Sequence, residues 1–462
     1  MRRWILPAVL IVMGVAVIAG ILIYDHGAKS EIESQLYIPK QQHITPEVQL
    51  LQQYVRIDTT NPPGRELPGA QFLFSLLEKN GVKAEIIESA PGRTSVYARL
   101  KGRRSGEGLL LLNHIDIVPA VAKQWRFPPL GGNIVLNQLW GRGSLDMKSI
   151  ALCELDGFLA VARAHRPLER DLVFLAVADE ERGGKLGTKW LLEHRPDIFE
   201  GVRYTLNEGG VTETKQEKLT YFGIEVGTKL SVRVRIRAPS REQASRVRLA
   251  LEPYIAPRDP DRILPEVREF LHDIAPYRIE IRALLDDIER TERAGKFWLL
   301  PQGYKELMQN VVWVSGVRMN NGRATIEVNL YNLPDEDPDR RIAWLRSKIA
   351  PFGATIDEVI LKDAPAPISS TRTPLYALIA REARREYGNV GIGTEILAAW
   401  TNDSRYLRSR GITCYGVWPF PVDYYQALGI HGIDERIRID WYMQGIAFSR
   451  RLIAAYAFEP VG

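Results

Sequence analysis

Apolar residues recur with helical spacing over residues 46–56 (PEVQLLQQYVR) and 70–81 (AQFLFSLLEKNG), and the second stretch closes on Gly81, a residue suited to a helix C-terminus. The period then shortens. VKAEIIES and SVYARLKG read as strands, and GLLLLNHIDIVP is so continuously apolar that it predicts a strand covered on both faces. A helix over 148–165, a second buried strand over 171–178 and a helix over 186–194 follow. Such alternation predicts an α/β domain with a mixed, largely parallel sheet covered by helices.

Around residue 227 the pattern changes. KLSVRVRIRAP, and RATIEVNLYNLP at 323–334, alternate apolar and polar residues with period two, as strands with one wet face do. Helical stretches at 240–253, 264–293 and 338–349 accompany them. The pattern predicts an inserted α+β module over 227–356 that divides the main domain into 45–226 and 357–462. The helix, loop and strand rhythm resumes at PLYALIAREARREYG and GITCYGVWPF.

Residues 4–24, WILPAVLIVMGVAVIAGILIY, carry no charge and follow Arg2 and Arg3. At about 1.5 Å per residue they reach across the roughly 30 Å hydrocarbon core of a bilayer. They predict a single-pass transmembrane anchor with its N-terminus cytoplasmic, a polar linker over 25–44, and the remainder periplasmic or extracellular. A cleaved signal peptide, which would leave a secreted protein, is the competing reading; its apolar region would end sooner, at a small-residue cleavage site.

The chain of 462 residues is 45% hydrophobic and 25% charged, a composition that folds. Its net charge of +5, from 61 basic and 56 acidic residues, is spread along the chain, so nucleic acid is excluded as a partner. Cys153 and Cys414, both in apolar surroundings, exclude a disulfide framework.

Carboxylates and imidazoles gather just beyond the predicted strands. In Asn113-His114-Ile115-Asp116, His114 and Asp116 share a strand face, so the carboxylate can bind beside the imidazole or orient it. GRGSLDMKS (141–149) sets Asp146 in a Gly-rich turn before a helix. AVADEERGG (176–184) ends a buried strand in Asp179, Glu180 and Glu181, and TLNEGG sets Glu208 before two glycines. Any one of these could be a helix cap or solvated turn. Together they put one histidine and several carboxylates at strand ends, where open α/β sheets build their sites. Three successive carboxylates also concentrate like charge that something must compensate, which leaves open whether a cation does so. Of seven histidines, His431 in GIHGIDERI stands in a Gly-bounded loop, and by itself reads equally well as a loop residue.

The series HxD, GRGxxDxK, DEE, NEGG and a late histidine before Glu resembles the M20 family of co-catalytic metallopeptidases, which includes glutamate carboxypeptidases, aminoacylases and dipeptidases. WRFPPLGGNIVLNQLWGRGSLDMKS is similar to that family's linking segment, and the likeness spans nearly all of 45–455. The resemblance implies two zinc ions per chain, with cobalt or manganese as substitutes. It implies His114 and Glu208 on one ion, Glu181 and His431 on the other, Asp146 bridging both, Asp116 orienting His114, and Glu180 as general base. Asn310, in MQNVVWVSG, resembles the inserted module's asparagine motif, and Arg405, in TNDSRYL, matches a substrate-side arginine.

Two positions depart from the family pattern. A histidine that usually follows the module's first strand, and stabilises the oxyanion at a neighbouring active site, is missing from RAPSREQASRV; Asn310, Lys229 or Tyr221 could replace it. Asn329 stands where the family commonly has an arginine for a substrate carboxylate. The resemblance therefore implies a membrane-anchored hydrolase of peptide or N-acyl-amino-acid amide bonds, with a homodimer through the inserted module as a possible assembly. The alternative is a catalytically weak binding or scaffold protein at the membrane surface.

Overall fold

The computed structural model describes residues 44–215, 218–252, 261–320, 322–396 and 400–459. The expected anchor at 4–24 lies outside them, and among the described residues no helix is long and apolar enough to cross a membrane.

The continuous apolar run does form a central strand, Gly102–His114, flanked in parallel by Leu168–Val177 on one side and Val202–Asn207 on the other. Its alternate residues enter different cores. Leu109 and Leu111 join Leu172 and Phe174 beneath helices Lys148–Arg163 and Ile439–Phe458, whereas Leu110 and Leu112 join Val173 and Leu175 against Leu191, Leu192 and Leu407. Burial on both faces leaves no position for a polar residue, which is why the run shows no alternation. Thr413–Gly416 extends the parallel centre, and antiparallel strands at both sides complete a mixed ten-stranded sheet. The expected fold class is the one observed.

The period-two segments Leu230–Ala238 and Arg323–Asn332 pair with each other in a second, antiparallel, five-stranded sheet. Val232, Val234, Ile326 and Val328 pack on helices Arg241–Leu251 and Pro338–Ile349, leaving the Arg233, Arg235 and Arg237 face uncovered by those helices. Thr355–Lys362 also joins this sheet, so it runs past residue 356. The stretch expected as one helix over 264–293 is broken. Pro265–Ile274, Arg282–Leu285 and Ile288–Arg293 are separate, because Pro276 removes a backbone donor and ends the first helix. These pieces pack through Val267, Phe270 and Leu271 into the main core rather than onto the second sheet. Both cysteines are free and buried.

Candidate metal centre

Parallel pairing brings the strand ends level. His114 lies opposite Val177, and Leu111 opposite Leu206, so the segments that follow all emerge at one edge of the sheet. His114 is the last residue of its strand and almost wholly buried. Its Nδ1 meets the backbone carbonyl of Asp116 at 2.8 Å, which turns Nε2 toward Asp146 Oδ1 at 3.0 Å and Glu208 Oε2 at 3.7 Å. The other Asp146 oxygen lies 3.1 Å from His431 Nε2, and that nitrogen is 2.9 Å from Glu181 Oε2. Asp146 thus faces one imidazole with each oxygen.

Orientation of His114 by Asp116 differs in detail from the expectation. The carbonyl accepts from the ring while the carboxylate stands 3.7 Å away and instead receives the backbone N–H groups of Glu180 and Glu181 at 3.1 and 3.2 Å and the Asn61 amide at 2.8 Å. Peptide donors at the start of the Glu180–Arg182 turn outcompete the ring. Asp179, left-handed at φ 69°, anchors the same turn: Arg93 donates to it at 2.9 Å, Asn61 at 3.2 Å and the Leu186 N–H at 3.0 Å. Held from both ends, the adjacent glutamates diverge. Glu181 meets His431 and also gathers with His114 and Asp146, while Glu180 gathers with His114 and Glu208, one ligand atom from each member of a group lying within 4.8 Å of the others.

The electrostatics are those of crowded like charges. Burial first, and then the Asp146 charge, lifts the Glu208 carboxyl to about 7. Burial followed by the charges of Glu208 and Asp403 pushes Glu180 well above the carboxylate range, and burial followed by Asp146 raises Glu181. Burial acts in the same direction on Asp146, but hydrogen bonds from His114 and His431 outweigh it and hold that carboxyl low. Burial opposes protonation of His431, yet Glu181 and Asp146 drive it up to about 12. His114 is raised well above its ordinary range by Glu208 and Asp146, again against burial.

Fully ionised, the four carboxylates would exceed the charge of two protonated imidazoles, and the raised proton affinity of Glu180, Glu181 and Glu208 reflects that crowding. The donor separations of 2.9 to 3.7 Å also suit ligands sharing an ion, since four donors about 2.05 Å from a tetrahedral zinc stand about 3.3 Å apart. The donor set therefore fits divalent cations. The site opens on the side of the His431 side chain, which is 48% exposed, whereas that of His114 is 1% exposed.

The other expected residues have hydrogen-bond or packing partners outside this cluster. Arg405 is buried with every nitrogen engaged: Nε with Asp363 at 3.0 Å, Nη1 with the Asn402 carbonyl at 2.6 Å, Nη2 with the Gly183 carbonyl and Tyr406 hydroxyl at 3.1 and 3.2 Å. It braces the turn after the glutamates, and a substrate would have to displace these partners. Asn310 accepts from the Leu333 N–H at 2.8 Å, tying the second sheet to its own loop. Lys229 is buried and donates to the Gln309 carbonyl at 2.7 Å, and Tyr221 is buried edge-on against Phe270. After Ala238 the chain passes through Pro239 and Ser240, the helix cap, directly into Arg241–Leu251. Asn329 lies opposite Arg233, which donates to its side chain at 2.9 Å. Leu361, Arg233, Asn329 and Trp313 form one cross-strand row, and a Cβ on Gly183 would meet Leu361 at 3.4 Å. The wet face of the second sheet thus begins at the glutamate turn.

Reading the sequence missed Asn61, Arg93, Arg142 and Glu435, all of which hold the site residues. Their signal was weak: Asn61 lies in a Pro-rich turn, and Glu435 appeared only as an acid following His431.

The profile of Peptidase family M20/M25/M40 matches residues 110–455. Aminoacylase-1 of Mus musculus is 30% identical over 437 residues, covering 91% of this chain and 97% of its own length. A probable carboxypeptidase S-like 2 of Dictyostelium discoideum is 24% identical over 387 residues, covering 75% of this chain and 71% of its own. The M20 family metallo-carboxypeptidase Sso-CP2 of Sulfolobus solfataricus shares the fold with a TM-score of 0.69 at 17% identity, over 89% of this chain and 99% of that one.

Proposed function

Since the chain belongs to Peptidase family M20/M25/M40, and is thereby a metal-dependent peptidase or amidohydrolase, we propose that it cleaves a peptide or N-acyl-amino-acid amide bond at a pair of zinc ions. The observation that carries this reading is the two-sided use of Asp146, 3.0 Å from one imidazole and 3.1 Å from the other. His114 and Glu208 would hold one ion, Glu181 and His431 the second, and Asp146 both. Bound there, the cations supply Lewis acidity toward the scissile carbonyl and a water whose pKa falls toward about 7. Cobalt or manganese suits the same mixed nitrogen and oxygen donors.

Glu180 is the general base. It shares a turn with Glu181 and lies within reach of His114 and Glu208, beside the place where the attacking water would sit, so that it can accept a proton from that water and return it to the leaving nitrogen. Arg233 anchors a free carboxylate of the substrate. It is half-buried, has no acidic partner among the described residues, and belongs to the row that starts at the glutamate turn, whereas Arg235 pairs with Glu327 and Glu358. This arrangement would do with Arg233 and Asn329 together what an arginine at 329 does alone.

The same proposal takes residues 4–24 as an uncleaved anchor that puts the catalytic part outside the cytoplasm, supported by the uncharged span after Arg2 and Arg3. It also allows a homodimer through the second sheet. Retention in membranes after alkaline washing tests the anchor.

The full chain should carry close to two zinc ions by elemental analysis and should turn over dipeptides or N-acyl amino acids. Glu180→Ala should lose turnover by a factor of at least about 100 while keeping its metal. An unchanged rate would remove Glu180 as the base. Full metal occupancy with no turnover across a broad panel would favour a binding protein instead.

A further inference from the structure

The Asp146 and His431 loops come from distant parts of the chain and belong to no common element, yet their side chains stand 3.1 Å apart. The His431 loop is strained as well. His431 has φ 56° and Asp434 φ 58°, a region that non-glycine residues adopt only under constraint. Something must hold both loops in place.

One buried ion pair does so. Glu435 is fully buried, and its carboxylate accepts the backbone N–H groups of Gly143, Leu145 and Asp146 at 3.1, 2.7 and 3.1 Å, so it grips the turn that presents Asp146. It also accepts from Arg142 Nη1 at 2.6 Å. The Arg142 guanidinium then reaches the carbonyls on either side of His431: Gly432 at 2.6 Å from Nη2 and Gly429 at 3.3 Å from Nη1. Trp125 stacks over this guanidinium, its ring centre 5.1 Å from the central carbon. Each member of the pair holds one loop, and the two members hold each other.

We infer that Arg142 and Glu435 are positioning residues that preset the separation of Asp146 and His431, and so determine the affinity of the cation held by Asp146, Glu181 and His431. This rests on the two-cation reading and adds an asymmetry to it. His114 is seated by the Asp116 carbonyl, and Glu208 by Asn402, which donates to its backbone carbonyl at 2.9 Å. Neither contact involves the pair. The cation on that side loses only what it shares through Asp146. Preset donors spare a ligand the ordering entropy that a loose loop would lose on binding, and partners behind metal ligands commonly govern affinity by about 10- to 100-fold.

The bland reading is that the pair merely stabilises the fold, and the two readings separate by metal affinity. Metal-stripped full-length protein is titrated with zinc against a competing chelator, with melting temperature followed in parallel. Wild type should show two binding steps. Arg142→Lys keeps the charge but cannot span Glu435, Gly432 and Gly429 together; it should weaken one step by about tenfold or more and leave the other within about threefold. Glu435→Gln, which replaces the acceptor of a charged and three peptide donors, should weaken the same step. In a His431→Ala background that step is already lost, so Arg142→Lys should add less than about twofold to what remains. Both steps unchanged in folded Arg142→Lys would overturn the inference, even with a lowered melting temperature. Should the buried variants fail to fold, Trp125→Leu acts on the guanidinium from the half-buried rim and should still weaken the same step by about threefold; no change there overturns it equally. A wild-type chain that binds one zinc or none would instead defeat the two-cation reading.

Discussion

Asp116 lies two residues from His114, just past the end of the strand; its carboxylate serves the glutamate turn and its carbonyl serves the imidazole. A two-residue spacing tells which groups are neighbours, and the competing donors decide which bond forms. Arg233 and Asn329 teach the same lesson across strands. Sequence alone reads Asn329 as a lost arginine, and only strand register places a guanidinium opposite it. If Arg233 takes the substrate carboxylate, Arg233→Ala should raise KM by about 10- to 100-fold with a smaller change in kcat, in line with about 1.5–3 kcal/mol for a hydrogen bond to a charged group. Equal loss in a substrate lacking a free carboxylate would refute that role.

At the scale of elements, the glutamate turn depends on partners outside itself. Asp179 accepts from Arg93, Asn61 and the Leu186 N–H, and Arg93 is in turn paired with buried Glu66 at 2.6 Å. Asp179→Ala leaves those buried donors without their acceptor, at about 1–3 kcal/mol for each group left unsatisfied. The expected outcome is a stability loss of about 3 kcal/mol or more in urea denaturation, together with loss of turnover. Stability within about 0.5 kcal/mol of wild type, the usual range for a neutral surface change, would mean that the turn holds itself. The central strands were legible in the sequence because a short apolar run with no alternation, bounded by turn residues, fits a strand buried on both faces. The stretch 264–293 was not, since amphipathic spacing continues across Pro276 while the helix does not.

For the molecule as a whole, Asp363 ties the second sheet to the main domain, accepting the Ser231 N–H at 2.9 Å and, from the Ser404–Arg408 helix, Arg405 Nε at 3.0 Å. The large sheet also buries acids that the chemistry leaves unused. Burial lifts Glu395 to about 8, with the charges of Glu213 and Glu225 adding to it while the Val211 N–H and Tyr221 oppose it. Glu225 is itself raised to about 7 by burial, against the attraction of Arg408. A raised folded-state pKa means that the neutral carboxyl contributes stability below its ordinary value of 4.5, and that this contribution is lost as pH rises through about 8. Stability should therefore fall over that window, by up to about 1.4 kcal/mol per pH unit for one such proton. Glu395→Gln should flatten the slope in urea midpoints measured across the same range. An identical slope in the variant would show that Glu395 does not ionise there.

By itself, the order of residues determined the layered α/β class, the two kinds of sheet and the short list of acids and imidazoles, because periodicity reports burial and burial selects residue type. It also supplied the pattern that resembles the M20 family. Tertiary structure decided what those residues do to one another: that Asp146 faces two imidazoles, that Arg405 is consumed as a brace, that Arg233 stands opposite Asn329, and that one buried ion pair joins the Asp146 and His431 loops. These are contacts between distant segments, and no local pattern encodes which distant partner will win a hydrogen bond once several are brought within reach.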